Sequence, residues 1–159
     1  MFPATGGCTC RAVRYQVLSP PMFVHCCHCR WCQRETGSAF ALNAMIEADQ
    51  VETVDGRAVA TTIPTKSGNG QTIHRCPSCQ IAVWSTYGGL GERVVLLRAG
   101  TLDNPDLMPP DIHIYARSKQ PWVTHAGDIP VVDEFYKRSD YWPQSSIDRL
   151  AQLRKEMVK

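Results

Sequence analysis

The sequence has no long apolar run. No segment of its 159 residues approaches the roughly 20 consecutive apolar residues that a membrane-crossing helix needs. A secretory leader is also missing: Met1-Phe2-Pro3-Ala4 runs straight into Gly6-Gly7-Cys8 with neither a basic start nor an apolar stretch, so the expectation is a soluble, cytoplasmic protein. Neither sign of charge is in excess. Lys plus Arg number 17 against 15 Asp plus Glu, a net charge of +2, and no broad basic face for nucleic acid follows from that balance. The glycine-rich stretch Gly88-Gly89-Leu90-Gly91 lacks the G-x-x-x-x-G-K-[ST] spacing of a phosphate loop and reads as a flexible turn. No internal repeat longer than a cysteine pair is visible, and little helical periodicity precedes the tail.

Cysteine is what the chain does have. Its 8 cysteines are too few for a disulfide scaffold at this length, and all fall in three tight groups. With no sign of an oxidising compartment, such spacing points to metal and not to disulfides. Zinc favours thiolates held in a tetrahedron, and a C-x-C or C-x-x-C pair supplies two corners from one short turn. Cys8 with Cys10 and Cys76 with Cys79 are two such pairs, together a closed four-thiolate site. The third group lies in His25-Cys26-Cys27-His28-Cys29-Arg30-Trp31-Cys32. Its C-x-C-x-x-C core, Cys27, Cys29 and Cys32, offers three thiolates on one side of the segment. Cys26 and His28 point to the other side, because neighbouring side chains alternate along extended backbone. Three protein ligands leave a coordination position for water or substrate, which separates a catalytic zinc from a structural one. The expectation is two zincs, one sealed and one open.

Taken in order, Gly6-Gly7 reads as a tight turn that aims Cys8 and Cys10 at one point. Val13, Tyr15 and Val17 alternate with polar neighbours as a half-buried strand, ended by Ser19-Pro20-Pro21, and Met22–His25 is a second strand. Cys29 to Thr36 reads as a helical turn closed by Gly37. Strands follow over Ser38–Ile46, Val51–Val54, Val59–Ile63, Thr72–His74, Ile81–Trp84 and Val94–Leu97, the last the most apolar and central. Further short stretches lie at His113–Tyr115 and Trp122-Val123. Asp55-Gly56 is a hairpin signal. The fold class is mainly β: short zinc-organised sheets over residues 1–130, then a C-terminal extension over 131–159. Beyond Pro143, Ile147, Leu150, Leu153, Arg154 and Met157 fall near helical spacing, with Ser145 or Ser146 as a cap. That amphipathic helix packs on the domain or on a second copy, which leaves a homodimer open; its stripe is short for a membrane surface.

Gly6-Gly7-Cys8-Thr9-Cys10-Arg11-Ala12-Val13-Arg14-Tyr15 and Cys27-His28-Cys29-Arg30-Trp31-Cys32-Gln33-Arg34, with Thr36–Phe40, carry a resemblance. So do Arg75–Cys79, Ala99–Asp103, Pro110–Tyr115 and Pro121-Trp122. Over roughly residues 5–123 the chain resembles the glutathione-dependent formaldehyde-activating enzyme family, which includes centromere protein V. The resemblance implies a β-tent organised by zinc, with a structural zinc on Cys8, Cys10, Cys76 and Cys79 and a catalytic zinc on Cys27, Cys29 and Cys32. It also implies a carbon–sulfur lyase reaction on S-(hydroxymethyl)glutathione. Two positions depart from the family pattern: Arg11 and Gln80 stand where glycine is usual, which alters turns and not ligands.

Glutathione carries carboxylates, so Arg30, Arg34, Arg117 and Lys119 are the candidates for holding it. His28 reads as a satisfied or outward-facing histidine, His113 as a strand residue, Cys26 as a small buried hydrophobe, and Trp31 and Trp84 as packing residues. Two other functions compete. One is a zinc-organised binding module without turnover, which a fourth protein ligand on the central metal would indicate. The other is a redox sensor on Cys26-Cys27, which the strain of a vicinal bridge disfavours.

Overall fold

The structure is a computed structural model that describes residues 1–125 and 127–157. In chain order its strands and helices are β1 (Ala4–Gly7), β2 (Arg14–Val17), β3 (Phe23–Cys27), α1 (Arg30–Thr36), β4 (Ala41–Glu47), β5 (Val51–Asp55), β6 (Val59–Ile63), β7 (Gln71–Arg75), β8 (Ala82–Tyr87), β9 (Gly91–Arg98), β10 (Ile112–Ile114) and α2 (Gln144–Met157). The protein is mainly β, as the short alternating segments imply. None of the described helices is long and apolar enough to cross a membrane. The chain forms two compact units, Met1–Pro21 with Ala44–Met108, and Met22–Asn43 with Pro109–Lys159.

The first unit contains a three-stranded sheet in the order β1-β2-β5 and a run in the order β4-β9-β8-β7-β6. Tyr15 and Val17 of β2 are fully buried while Arg14 and Gln16 are only half-buried, the period-two signature of a strand with one face on the core. Burying each such apolar side chain is worth about 1.5–3 kcal/mol. Ile46, Ile73, Val83 and Leu97 fill the core of the second sheet, and β9 lies inside it between β4 and β8.

Two local expectations change in the first unit. Gly6-Gly7 is not a turn but the end of β1. Glycine is needed there because a Cβ on Gly6 would sit 2.4 Å from the Tyr15 hydroxyl and one on Gly7 2.3 Å from the Val13 carbonyl. Asp55-Gly56 bends the chain, with Gly56 at φ +65°, yet it joins no hairpin. β5 pairs with β2 and β6 with β7, so the flanking strands enter different sheets. Gly56 faces the Ala12 carbonyl, 1.8 Å from where a Cβ would stand.

In the second unit β10 runs parallel to β3, with Ile112 opposite His25, His113 opposite Cys26 and Ile114 opposite Cys27. Asp111 fixes that register by accepting the Val24 amide at 2.7 Å. The tail belongs to this unit. Trp142 stacks on Phe23 at 5.1 Å, and the Tyr136 hydroxyl accepts the Trp142 indole N–H at 2.6 Å. Leu150 and Leu153 of α2 are buried. Ser146 does not cap the helix but donates from within it to the Met22 carbonyl at 2.6 Å. The side chain of Met157 and residues 158–159 lie outside what is described. Trp122-Val123 is a turn and not a strand, with Trp122 69% exposed.

Candidate functional site

Cys8, Cys10, Cys76 and Cys79 come together in the first unit, every sulfur within 4.8 Å of the others. The two loops that carry them are built alike. Cys8 follows β1 and Cys76 follows β7. The Cys8 carbonyl accepts the Arg11 amide, and the Cys76 carbonyl accepts the Gln80 amide, both at 3.0 Å. Each loop is turned by a residue in the left-handed region, Arg11 at φ +65° and Gln80 at φ +61°. Both turns are thus made by residues that carry a Cβ, at a cost of about 1 kcal/mol each.

The donor set fits a metal ion. Sulfurs of Cys8 and Cys10 are 3.5 Å apart and those of Cys10 and Cys76 3.6 Å. Two sulfurs each about 2.3 Å from a tetrahedral ion stand about 3.8 Å apart, so little movement is required. Backbone donors favour the thiolate: the Cys10 and Ile81 amides bring Cys79 down to about 6, and the Cys79 and Ser78 amides lower Cys76. None of the eight cysteines is in a disulfide.

Cys27, Cys29 and Cys32 form a second sulfur cluster, in the second unit, also within 4.8 Å of one another. Cys27 is the last residue of β3. Cys29 caps α1, its extended backbone (φ −65°, ψ 150°) letting its sulfur accept the Cys32 amide at 3.3 Å, and Gly37 closes the helix at φ +66°. Hydrogen bonds from the Cys27 and Cys32 thiols, then the Cys32 and Trp31 amides, lower Cys29. Cys27 moves the opposite way, raised by its bonds to Cys29 and Cys32 and by burial. One negative charge is thus accommodated readily, whereas ionising all three needs a cation. Soft thiolates suit zinc or a similar ion. Among the described residues no fourth Cys, His, Asp or Glu joins the three.

Helix α1 also carries one wall of a cleft of about 680 Å³, lined by Arg30, Gln33, Arg34, the Gly37–Ala39 turn, Gln120 and Trp122. The buried Gln33 anchors it, donating to the His28 carbonyl at 2.7 Å and the Ser118 carbonyl at 3.0 Å while accepting from Arg30 at 2.8 Å. Arg30 and Arg34 are therefore together in the cleft. Arg117 and Lys119 are not among its lining. Arg117 is ion-paired with Glu134, and Lys119 donates to the Val123 carbonyl at 2.5 Å.

A third group was not foreseen. Cys26 and His28 do leave the Cys27–Cys29 face, as alternation requires, but His28 is neither exposed nor satisfied. It is fully buried, its Nε2 is 2.9 Å from His113 Nδ1 and 3.6 Å from the Cys26 sulfur, and its Nδ1 has no partner among the described residues. Spacing within one segment could not reveal His113, which arrives from 85 residues away. Gln120 and Trp122 were missed as cleft residues for the same reason, whereas Gln33 lies within the helix beside Arg30 and Arg34.

A crystal structure of a Rhodobacter sphaeroides protein, 20% identical, matches 80% of this chain and 99% of its own at a TM-score of 0.51, a likeness of fold. A Halomonas elongata protein named "Putative glutathione-dependent formaldehyde-activating enzyme" is 31% identical over 125 residues, 74% of this chain and 78% of that one. The model of the family described as "Glutathione-dependent formaldehyde-activating enzyme" matches residues 3–118, and the chain belongs to that family.

Proposed function

We propose that the protein is a zinc-dependent carbon–sulfur lyase that makes or breaks the adduct of a small thiol, glutathione first, with formaldehyde or a related aldehyde. In the forming direction the thiol sulfur bonds to the carbonyl carbon and the thiol proton ends on the former carbonyl oxygen; cleavage is the reverse. The observation that carries this reading is the three-sulfur cluster of Cys27, Cys29 and Cys32, one donor short of a tetrahedron, at the start of the helix that walls an arginine-lined cleft.

Cys27, Cys29 and Cys32 would hold the catalytic zinc, and Cys8, Cys10, Cys76 and Cys79 a structural one. A zinc bound by three thiolates favours the thiolate form of an incoming thiol and leaves it nucleophilic. The rest of the task falls to the chain. Arg30 and Arg34 pair with the carboxylates of the substrate thiol. Gln33 holds Arg30 in place, and Trp122 supplies an apolar wall. Lys119 acts less directly: it ties down the 119–123 loop that presents Gln120 and Trp122 to the cleft.

The test is exchange of 13C-formaldehyde between its hydrate and its glutathione adduct, followed by NMR. Acceleration by the purified protein, and its loss in Cys29→Ser, is the expected result. No acceleration by the zinc-loaded protein would leave a binding module without turnover.

A further inference from the structure

The buried group Cys26, His28 and His113 belongs to neither sulfur cluster. It arises from two rules of β-structure. Cys26 and His28 are two residues apart and share a face, while Cys27 and Cys29 serve the opposite one. His113 of β10 lies directly across from Cys26 in the parallel pair, which brings its ring to that same face. The three donor atoms converge within 4.8 Å, and all three side chains are at least nine-tenths buried.

Hydrogen bonding leaves this pocket under-satisfied. His28 Nε2 has one in-plane site, a proton or a lone pair, yet it faces both His113 Nδ1 and the Cys26 sulfur. His28 Nδ1 and His125 Nε2 are buried with no partner among the described residues. The His125 ring packs 4.4 Å from that of His113 and 5.6 Å from that of His28. A proton can bridge only one pair at a time among the Cys26 sulfur, His28 Nε2 and His113 Nδ1, whereas one cation uses each of these three donors once.

We propose that Cys26, His28 and His113 form a third metal site, for zinc or a similar borderline divalent ion, on the face of the β3 segment opposite the three-sulfur cluster. One sulfur and two imidazole nitrogens suit zinc. A tetrahedral ion sets sulfur and nitrogen about 3.5 Å apart and two nitrogens about 3.3 Å apart. The observed 3.6 Å and 2.9 Å require the two rings to open by only a few tenths of an ångström. His125 is the candidate for the fourth corner. Loading displaces one proton, from Cys26, to solvent.

The test is the 113Cd NMR spectrum of the full chain loaded with cadmium alone under reducing conditions, beside zinc per chain after dialysis. Three cadmium resonances are expected, the one-sulfur site well upfield of the two sulfur-rich ones, with three zincs retained. His113→Asn should remove the upfield resonance, keep the other two and bring zinc to two per chain. A wild-type spectrum without an upfield resonance overturns the proposal, and so does its persistence in both His113→Asn and Cys26→Ser. Should the variants fail to fold, the wild-type spectrum decides alone. The site is independent of the proposed lyase activity: an empty three-sulfur cluster would remove a downfield resonance and leave the upfield one.

Discussion

Two cysteine clusters of similar chemistry differ in one donor, and on the proposed reading that difference would separate holding a fold from acting on a ligand. In the first unit four sulfurs come from two loops 66 residues apart in sequence, so an ion there would be enclosed by protein and would tie β1 and β2 to β7 and β8. In the second unit three sulfurs come from six consecutive residues, the last two of them within one capped helical turn. An ion there would link nothing that the chain does not already link, and it would keep one corner open. A closed site contributes chiefly stability and an open one chemistry.

The contrast can be broken most forcefully from the closed side. Cys76→Ser should cost more than about 3 kcal/mol of stability and one zinc, read by denaturant unfolding and metal analysis, since structural zinc binding is folding free energy. Cys29→Ser should leave the thermal midpoint within a few degrees but lower thiol–aldehyde exchange by about 100-fold or more, as expected for a lost reaction-centre ligand. If Cys29→Ser unfolds the protein as Cys76→Ser does, the two clusters are equivalent and the division fails.

A pH effect sharpens the stability side. Burial raises Tyr15 to about 12, against which the Thr101 hydroxyl bond acts only partly. The folded state thus keeps a proton that the unfolded state releases near 10. This stabilisation is complete below pH 10, falls as pH rises toward 12, and amounts to at most about 3 kcal/mol. Tyr15→Phe should flatten that alkaline limb in unfolding curves measured from pH 9 to 12.

On the ligand side, Arg34→Ala should raise KM for the thiol about tenfold with kcat little changed, the size of one charge-assisted hydrogen bond. The smallest effect belongs to the turns. Gln80→Gly should stabilise the protein by up to about 1 kcal/mol, because glycine adopts the left-handed conformation of that loop without the Cβ clash. A loss of stability would show that the Gln80 side-chain bond to the Pro77 carbonyl, 2.9 Å, outweighs the strain.

Much of the candidate site was legible because its signals are local. C-x-C and C-x-x-C pairs mark loops that aim two sulfurs together, and the run from Cys29 to Gly37 spells out a helix from cap to close. Alternation also put Cys26 and His28 on the face away from Cys27. The Asp55-Gly56 dipeptide misled because a hairpin signal reports only a bend, whereas partner strands are chosen by the burial of Tyr15, Val17 and their neighbours across the sheet.

The sequence by itself determined the mainly β class, the three cysteine groups and the capped helix, since each depends on interactions spanning a few residues. Tertiary structure alone decided which distant residues meet: His113 with Cys26 and His28, Gln120 and Trp122 with Arg30 and Arg34, and β5 with β2. Strand register is the physical reason. A shift of one position would turn His113 to the other face of the sheet, and that choice is settled by packing along the whole pair and not by any single residue in it.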